Sequence, residues 1–202
     1  MQSQSGTRRS TKRPAGRPTG RDEVRAAVLD AAGRHFAARG ANASLRDIAA
    51  DAGVNLGLIH RHFGNKDDLL QAVLDAQRRA GADLVGASPD VATAVREIFE
   101  ETVYKDQHVR TLAWLLLDEE QGRSLRHEYP TIDALRARVG DDPEARTRLM
   151  AAFTMVYGWT VFGPQLLEAF GWSRDDRAAV EQDLAALLDT VIAPTSLRTT
   201  GT

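Results

Sequence analysis

The sequence predicts an all-α protein, with an N-terminal three-helix helix-turn-helix domain ahead of a larger helical domain. Three observations lead there. No stretch sustains the two-residue alternation of a half-buried strand. Apolar residues recur instead every three or four positions through most of the chain. The periodic segments are also punctuated by caps and stops, with Ser44, Asn55 and Ser173 before them and Gly40, Gly53 and Gly64 after them.

In chain order, residues 1–21 hold Arg8, Arg9, Lys12, Arg13, Arg17 and Arg21 without an acid. Pro14, Gly16, Pro18 and Gly20 argue against a helix, so this segment is expected to be a disordered basic arm. Such an arm can lie along phosphates, and Gly16-Arg17-Pro18 suits a narrow minor groove. A first helix is predicted over 22–39, with Val24, Val28, Ala31, Ala32 and Phe36 as its inward stripe and Gly40 as its stop.

The rest of the chain is organised around the stretch 44–66. Ser44 is placed to cap a short helix, with Asp47 at its positive end and Leu45, Ile48, Ala49 and Ala52 as its stripe. Gly53 supplies a left-handed stop, and Asn55 caps a second short helix whose inward residues are Ile59 and Phe63. Two short helices joined by a tight turn form a helix-turn-helix, whose second helix enters the major groove. The outward face of that helix, Leu56, Gly57, His60, Arg61 and His62, carries no acid, as contact with a polyanion requires. A fourth helix is predicted over 65–79, and the Gly, Ala, Ser and Pro content of 81–89 places a domain boundary near residue 80.

Helices are predicted throughout the remainder. One opens at Ser88-Pro89 and ends near Tyr104. Others cover 106–121, 130–140, 143–162 (interrupted by Gly163-Pro164, with one or two turns beyond) and 173–193. The domain plan is therefore arm 1–21, DNA-binding domain 22–80, a larger helical domain 81–195, and a disordered tail 196–202.

Bulk properties narrow the function. The chain has 202 residues and no cysteine, which excludes a disulfide framework and thiolate chemistry. No apolar run approaches the roughly 20 residues that cross a bilayer, and the basic N-terminus lacks the apolar core of a secretory signal. A cytoplasmic protein is expected. Residues 1–66 hold 12 Lys and Arg against 5 Asp and Glu, a net of +7, and the rest hold 14 against 23, a net of −9. That asymmetry separates a nucleic-acid end from an acidic, solvated end.

The residues Leu45-Arg46-Asp47-Ile48-Ala49, Ala52-Gly53-Val54, Gly57, His62-Phe63, Lys66 and Leu69-Leu70, after a helix ending in Phe36 and Gly40, resemble the DNA-binding segment of the TetR family of transcriptional regulators. The resemblance covers about residues 22–75. It implies that His60, His62 and Lys66 hold phosphates, joined by Ser44, Arg46 and the arm. The family usually carries Tyr at the position of His60. For base reading, Leu56, Gly57, Leu58 and Arg61 approach base edges, with Arg61 suited to guanine and the leucines to a thymine methyl; Asn55, at the head of the helix, completes the DNA-binding set.

Two later helices carry more apolar surface than one core needs. Phe153 and Val156, with Val180, Leu184, Leu188 and Val191, are expected at a homodimer interface, which the resemblance also implies. Phe99, Tyr104, His108, Trp114, Met155, Trp159 and Phe162 are the candidate lining of a pocket for a small apolar effector, which the resemblance again implies. No phosphate-binding Gly loop, G-x-S-x-G or H-E-x-x-H occurs, and no cofactor or metal is expected. His60 and His62, two apart on a helix, point in divergent directions and do not share a metal. The reading is a ligand-responsive DNA-binding regulator, a repressor that binds a palindromic operator on double-stranded DNA as a homodimer. An architectural DNA-binding protein without ligand control, and an enzyme built on the helical C-terminal part, stay open as alternatives.

Overall fold

The computed structural model describes residue 18 and residues 20–117 and 128–193. The described residues form nine α-helices and two short 3-10 turns, with no strand among them. Helix α1 (Arg21–Arg39) starts with the Glu23 carboxylate accepting from Gly20 N at 3.3 Å. It buries Val24, Val28, Ala31, Ala32 and Phe36, and a 3-10 turn over 40–42 follows. Helix α2 (Leu45–Asp51) is capped by Ser44, whose hydroxyl accepts from Asp47 N at 3.5 Å. Gly53 turns the chain at φ +67°, a conformation that costs glycine little. Helix α3 (Leu56–Phe63) begins with Asn55 Oδ1 accepting from Leu58 N at 2.9 Å and ends at Gly64, φ +93°.

Helix α4 (Lys66–Ala87) is held at its start by a reciprocal cap: Asn65 Oδ1 accepts from Asp67 N and Asp68 N, and Asp68 accepts from Asn65 N at 3.0 Å. It runs eight residues past the predicted end, so the boundary expected near residue 80 falls inside a continuous helix. Gly81 weakens a helix by about 1 kcal/mol relative to Ala. Here it is where α7 (Pro130–Val139) approaches: a Cβ on Gly81 would lie 2.5 Å from Thr131 Oγ1. Ser88 ends α4 rather than starting the next helix, because both its N–H (3.0 Å) and its hydroxyl (2.8 Å) donate to Leu84 O. The N-cap of α5 (Val91–Tyr104) is Asp90, which accepts from Thr93 N at 2.8 Å.

Helices α6 (Gln107–Leu117), α8 (Pro143–Ala169) and α9 (Arg177–Ile192) complete the described fold. Gly163-Pro164 does not interrupt α8. The residue before a proline is pushed out of the helical region partly by its Cβ, and Gly163 has none. The Trp159 ring lies where that Cβ would stand, 3.2 Å away, and Leu167 on the far side is buried.

The buried side chains form two clusters. One gathers residues of α1–α4 from Val24 to Leu74, and the other runs from Val85 to Leu188 over α4, α5, α7, α8 and α9. Helix α4 serves both. Helix α6 joins the first, since Leu115 is buried there although it follows α5 in the chain. Leu115→Ala is therefore predicted to destabilise the N-terminal helices by about 2–5 kcal/mol, read by urea unfolding.

Candidate nucleic-acid interface and cavity

Ile59, fully buried, anchors α3 on the first core and leaves Asn55, Gly57, His60 and Arg61 exposed. Leu56 and Leu58 are half-buried and pack against that core, so the outer face is more polar than the two leucines suggested. Two acids of α2, which precedes α3, are already paired. Asp47 accepts from Arg39 at 2.9 Å, and Asp51 accepts from Arg34 at 3.0 Å with His35 3.4 Å away. The Arg34 guanidinium holds Asp51 below the usual carboxylate range. Arg46 and Arg61 are exposed and have no carboxylate partner among the described residues, which leaves a positive face.

His60 Nδ1 lies 3.0 Å from Gly64 O and donates to it, tying the ring back onto the helix end. His62 is half-buried. Lys66 is half-buried, and its ammonium donates to the Ala41 carbonyl, tying the start of α4 to the 40–42 turn. Arg25, which sequence reasoning passed over, reaches from α1 across the Phe63 ring at 4.8 Å from the centroid. No spacing rule links those two residues, which meet only through packing. Arg17 lies outside the described residues, as do the rest of 1–17 and the tail 194–202. Pro18 packs within 3.8 Å of where a Gly53 Cβ would be, so the chain leaves the arm beside the helix-turn-helix turn.

A cavity of about 370 Å³ lies among α1, α4, α5, α6, α7 and α8. Leu29, Val73, Leu84, Ile98, Val109 and Phe153 supply apolar wall, and Gln77, Arg78, His108, Thr131 and Tyr157 supply polar groups. His108 Nδ1 lies 3.1 Å from Gln77 Oε1 and donates to it. Burial, with Arg78 adding, pushes His108 down to about 4, so the ring is neutral near pH 7. Burial also raises the Tyr157 phenol.

Of the candidate pocket residues only His108 lines this cavity. Phe99 and Trp159 are in the second core, with Trp159 Nε1 donating to Glu181 at 3.1 Å, and Met155 packs against that core. Tyr104 (86% exposed) and Phe162 (59%) face outward. Trp114 packs instead on the 40–42 turn, 3.2 Å from where a Gly40 Cβ would be. The expected interface residues differ in burial within the single chain. Val156 and Leu188 are buried in the chain's own core, Phe153 is on the cavity wall, and Val180, Leu184 and Val191 pack against the second core. The large apolar side chains left exposed on α8 and α9 are Met150, Phe162, Leu166 and Leu187.

A short, capped helix with an acid-free basic face, mounted on a helix shared with a larger helical body, defines a helix-turn-helix DNA-binding regulator. The family profile described as bacterial regulatory proteins, tetR family, matches residues 28–73. The HTH-type transcriptional repressor Rv3405c of Mycobacterium tuberculosis (strain ATCC 25618 / H37Rv) is 42% identical over 155 residues, 74% of this chain and 79% of that protein. The HTH-type transcriptional regulator BetI of Agrobacterium fabrum (strain C58 / ATCC 33970) is 29% identical over 86% of this chain and 77% of its own length. In fold, the chain is similar to the putative transcriptional regulator SCO4942 from Streptomyces coelicolor, with a TM-score of 0.62 and 20% identity over 83% of this chain and 97% of that one. The chain belongs to the tetR family of bacterial regulatory proteins.

The placement of Lys66 separates two roles. If the Ala41 bond holds the ammonium away from phosphate, Lys66→Met is predicted to lower stability by about 1–3 kcal/mol while leaving the salt dependence of DNA binding unchanged. Denaturant unfolding and a salt titration of DNA affinity check the two halves.

Proposed function

We propose that the protein is a repressor that binds a palindromic operator as a homodimer and is released by a small molecule in the cavity. The observation that carries this reading is that the cavity wall is built from the helices that hold the DNA-binding face. Leu29 belongs to α1, Val73 and Gln77 to α4, and Gln107 and His108 to α6, and all three helices also contribute to the N-terminal core. A ligand that prefers one arrangement of these helices shifts the population of α3 orientations by its differential affinity, without touching DNA. Arg61 is suited to read guanine through its fork of donors, while Arg46, His60 and the arm set register on phosphates.

Two recognition helices must reach successive major grooves, roughly 34–36 Å apart, which calls for a two-fold dimer. Phe162 and Leu166, one turn apart on α8, and Leu187 on α9 are exposed and supply apolar surface for a second copy, beside the partly buried residues expected from the pattern. The cytoplasm is the compartment in which such a protein meets its operator.

Selection of bound sequences from a random DNA pool is expected to return a palindrome with fixed half-site spacing. Enrichment of no motif would contradict the reading. Against that operator, Arg61→Ala is predicted to cost about 1–3 kcal/mol and to relax preference at one base pair per half-site, measured by competition with single-base variants. Phe162→Asp is predicted to shift the protein from dimer to monomer in sedimentation and to weaken operator binding, since a lone half-site contact remains.

A further inference from the structure

The cavity is not uniform. Leu84, Ile98 and Phe153 are among its apolar lining, and Arg78, His108 and Tyr157 form a polar pole in which the Arg78 charge acts on both other groups. The Arg78 side chain is 10% exposed and pairs with Asp75 at 3.5 Å. Among the described residues its guanidinium is still the charge acting on His108, and no carboxylate acts on Tyr157. The pole is therefore electropositive. With Nδ1–H given to Gln77, the His108 ring keeps Nε2 as a lone-pair acceptor without a partner among the described residues. The Tyr157 hydroxyl likewise makes no hydrogen bond among them, while its ring is fixed edge-on against Phe153 at 5.7 Å.

We propose that the cavity takes a small carboxylic acid, its apolar body against Leu84, Ile98 and Phe153 and its carboxyl group at the Arg78–His108–Tyr157 pole. This rests on reading the cavity as the effector site. One carboxyl oxygen accepts from the Tyr157 hydroxyl in the field of Arg78, and the other shares one proton with His108 Nε2. That arrangement satisfies the phenol donor and the imidazole acceptor together. An amide lacks the negative charge that Arg78 favours, and an ammonium is repelled by it. The space, set against about 30 Å³ per water in the liquid, holds roughly a dozen non-hydrogen atoms, the size of a bicyclic acid. The remaining titratable groups on the wall are Asp30 from α1, Glu101 from α5 and Lys105 just past its end, and Glu101 pairs with Lys105 at 2.6 Å.

Because the bound pair holds one proton more than the separate acid and imidazole do near neutral pH, affinity for the acid rises as pH falls. The test is calorimetric titration of the full-length protein with 2-naphthoate, 2-naphthamide and 2-naphthylmethylamine, and with phenylbutanoate and its amide, at pH 8 and pH 6. Operator release is followed in parallel. The acids are expected to bind at least about tenfold more tightly than their amides, with the margin wider at pH 6 and the amines weakest. Tyr157→Phe and His108→Asn are expected to remove most of that margin, and His108→Asn to abolish its pH dependence, while amide binding is unchanged. Amides or amines that bind as tightly as the acids and release DNA would overturn the acid class and leave the effector reading standing. Acids whose margin is the same at both pH values, or untouched by Tyr157→Phe and His108→Asn together, would also overturn it. If no compound of any class binds, the effector reading fails and the proposal with it.

Discussion

Continuity of α4 is the constraint that fixes how the other helices are placed. Its first half gives Leu69, Leu70, Val73 and Leu74 to the core under the recognition helix, and Val85 near its end belongs to the second core. A rigid helix buried at both ends transmits displacement in a way that a linker does not. Gly81 sits midway, and it is a packing site: the close approach of Thr131 on α7 needs a residue without Cβ. A break at that point would separate the two cores into independently moving bodies, and the positive face on α3 would lose its fixed relation to the cavity.

Helix α6 makes a second connection of the same kind. Its first turn reaches the cavity through Gln107 and His108, while Leu115 is buried beside α1 and Trp114 packs on Gly40. Lys66 grips the same 40–42 turn from the start of α4. The turn that leads into the helix-turn-helix is thus held from both α4 and α6. The placement of α3 is therefore set by helices that also line the cavity.

Local chemistry made the N-terminal part legible. Ser44 and Asn55 cap helices whose orphan N–H groups lie two or three residues away, and Gly53 and Gly64 turn at positive φ, so short-range rules sufficed. They failed where two local solutions competed. Ser88 and Asp90 were both competent caps, and the longer reach of α4 left Ser88 as its terminator. Pro164 reads as a breaker, yet burial on both sides and a Cβ-free neighbour keep α8 whole. The faces of α8 were the least legible. A helix apolar on two sides does not disclose which side its own chain covers, and Val156 went to the core while Phe162 went to the surface. The aromatic residues misled for a related reason, since aromatic type reports large apolar area and not location. The cavity wall is made mainly of aliphatic and polar residues from six helices, and of the expected set only His108 is among them.

If α4 and α6 couple the DNA-binding face to the cavity, the coupling is visible in amide hydrogen exchange of the full-length protein, with and without a selected operator. Operator binding is then predicted to change protection beyond α3, at residues 77–84 of α4 and 107–109 of α6, although none of them meets DNA. A change confined to residues 44–66, with the cavity helices exchanging as in the free protein, would contradict the coupling.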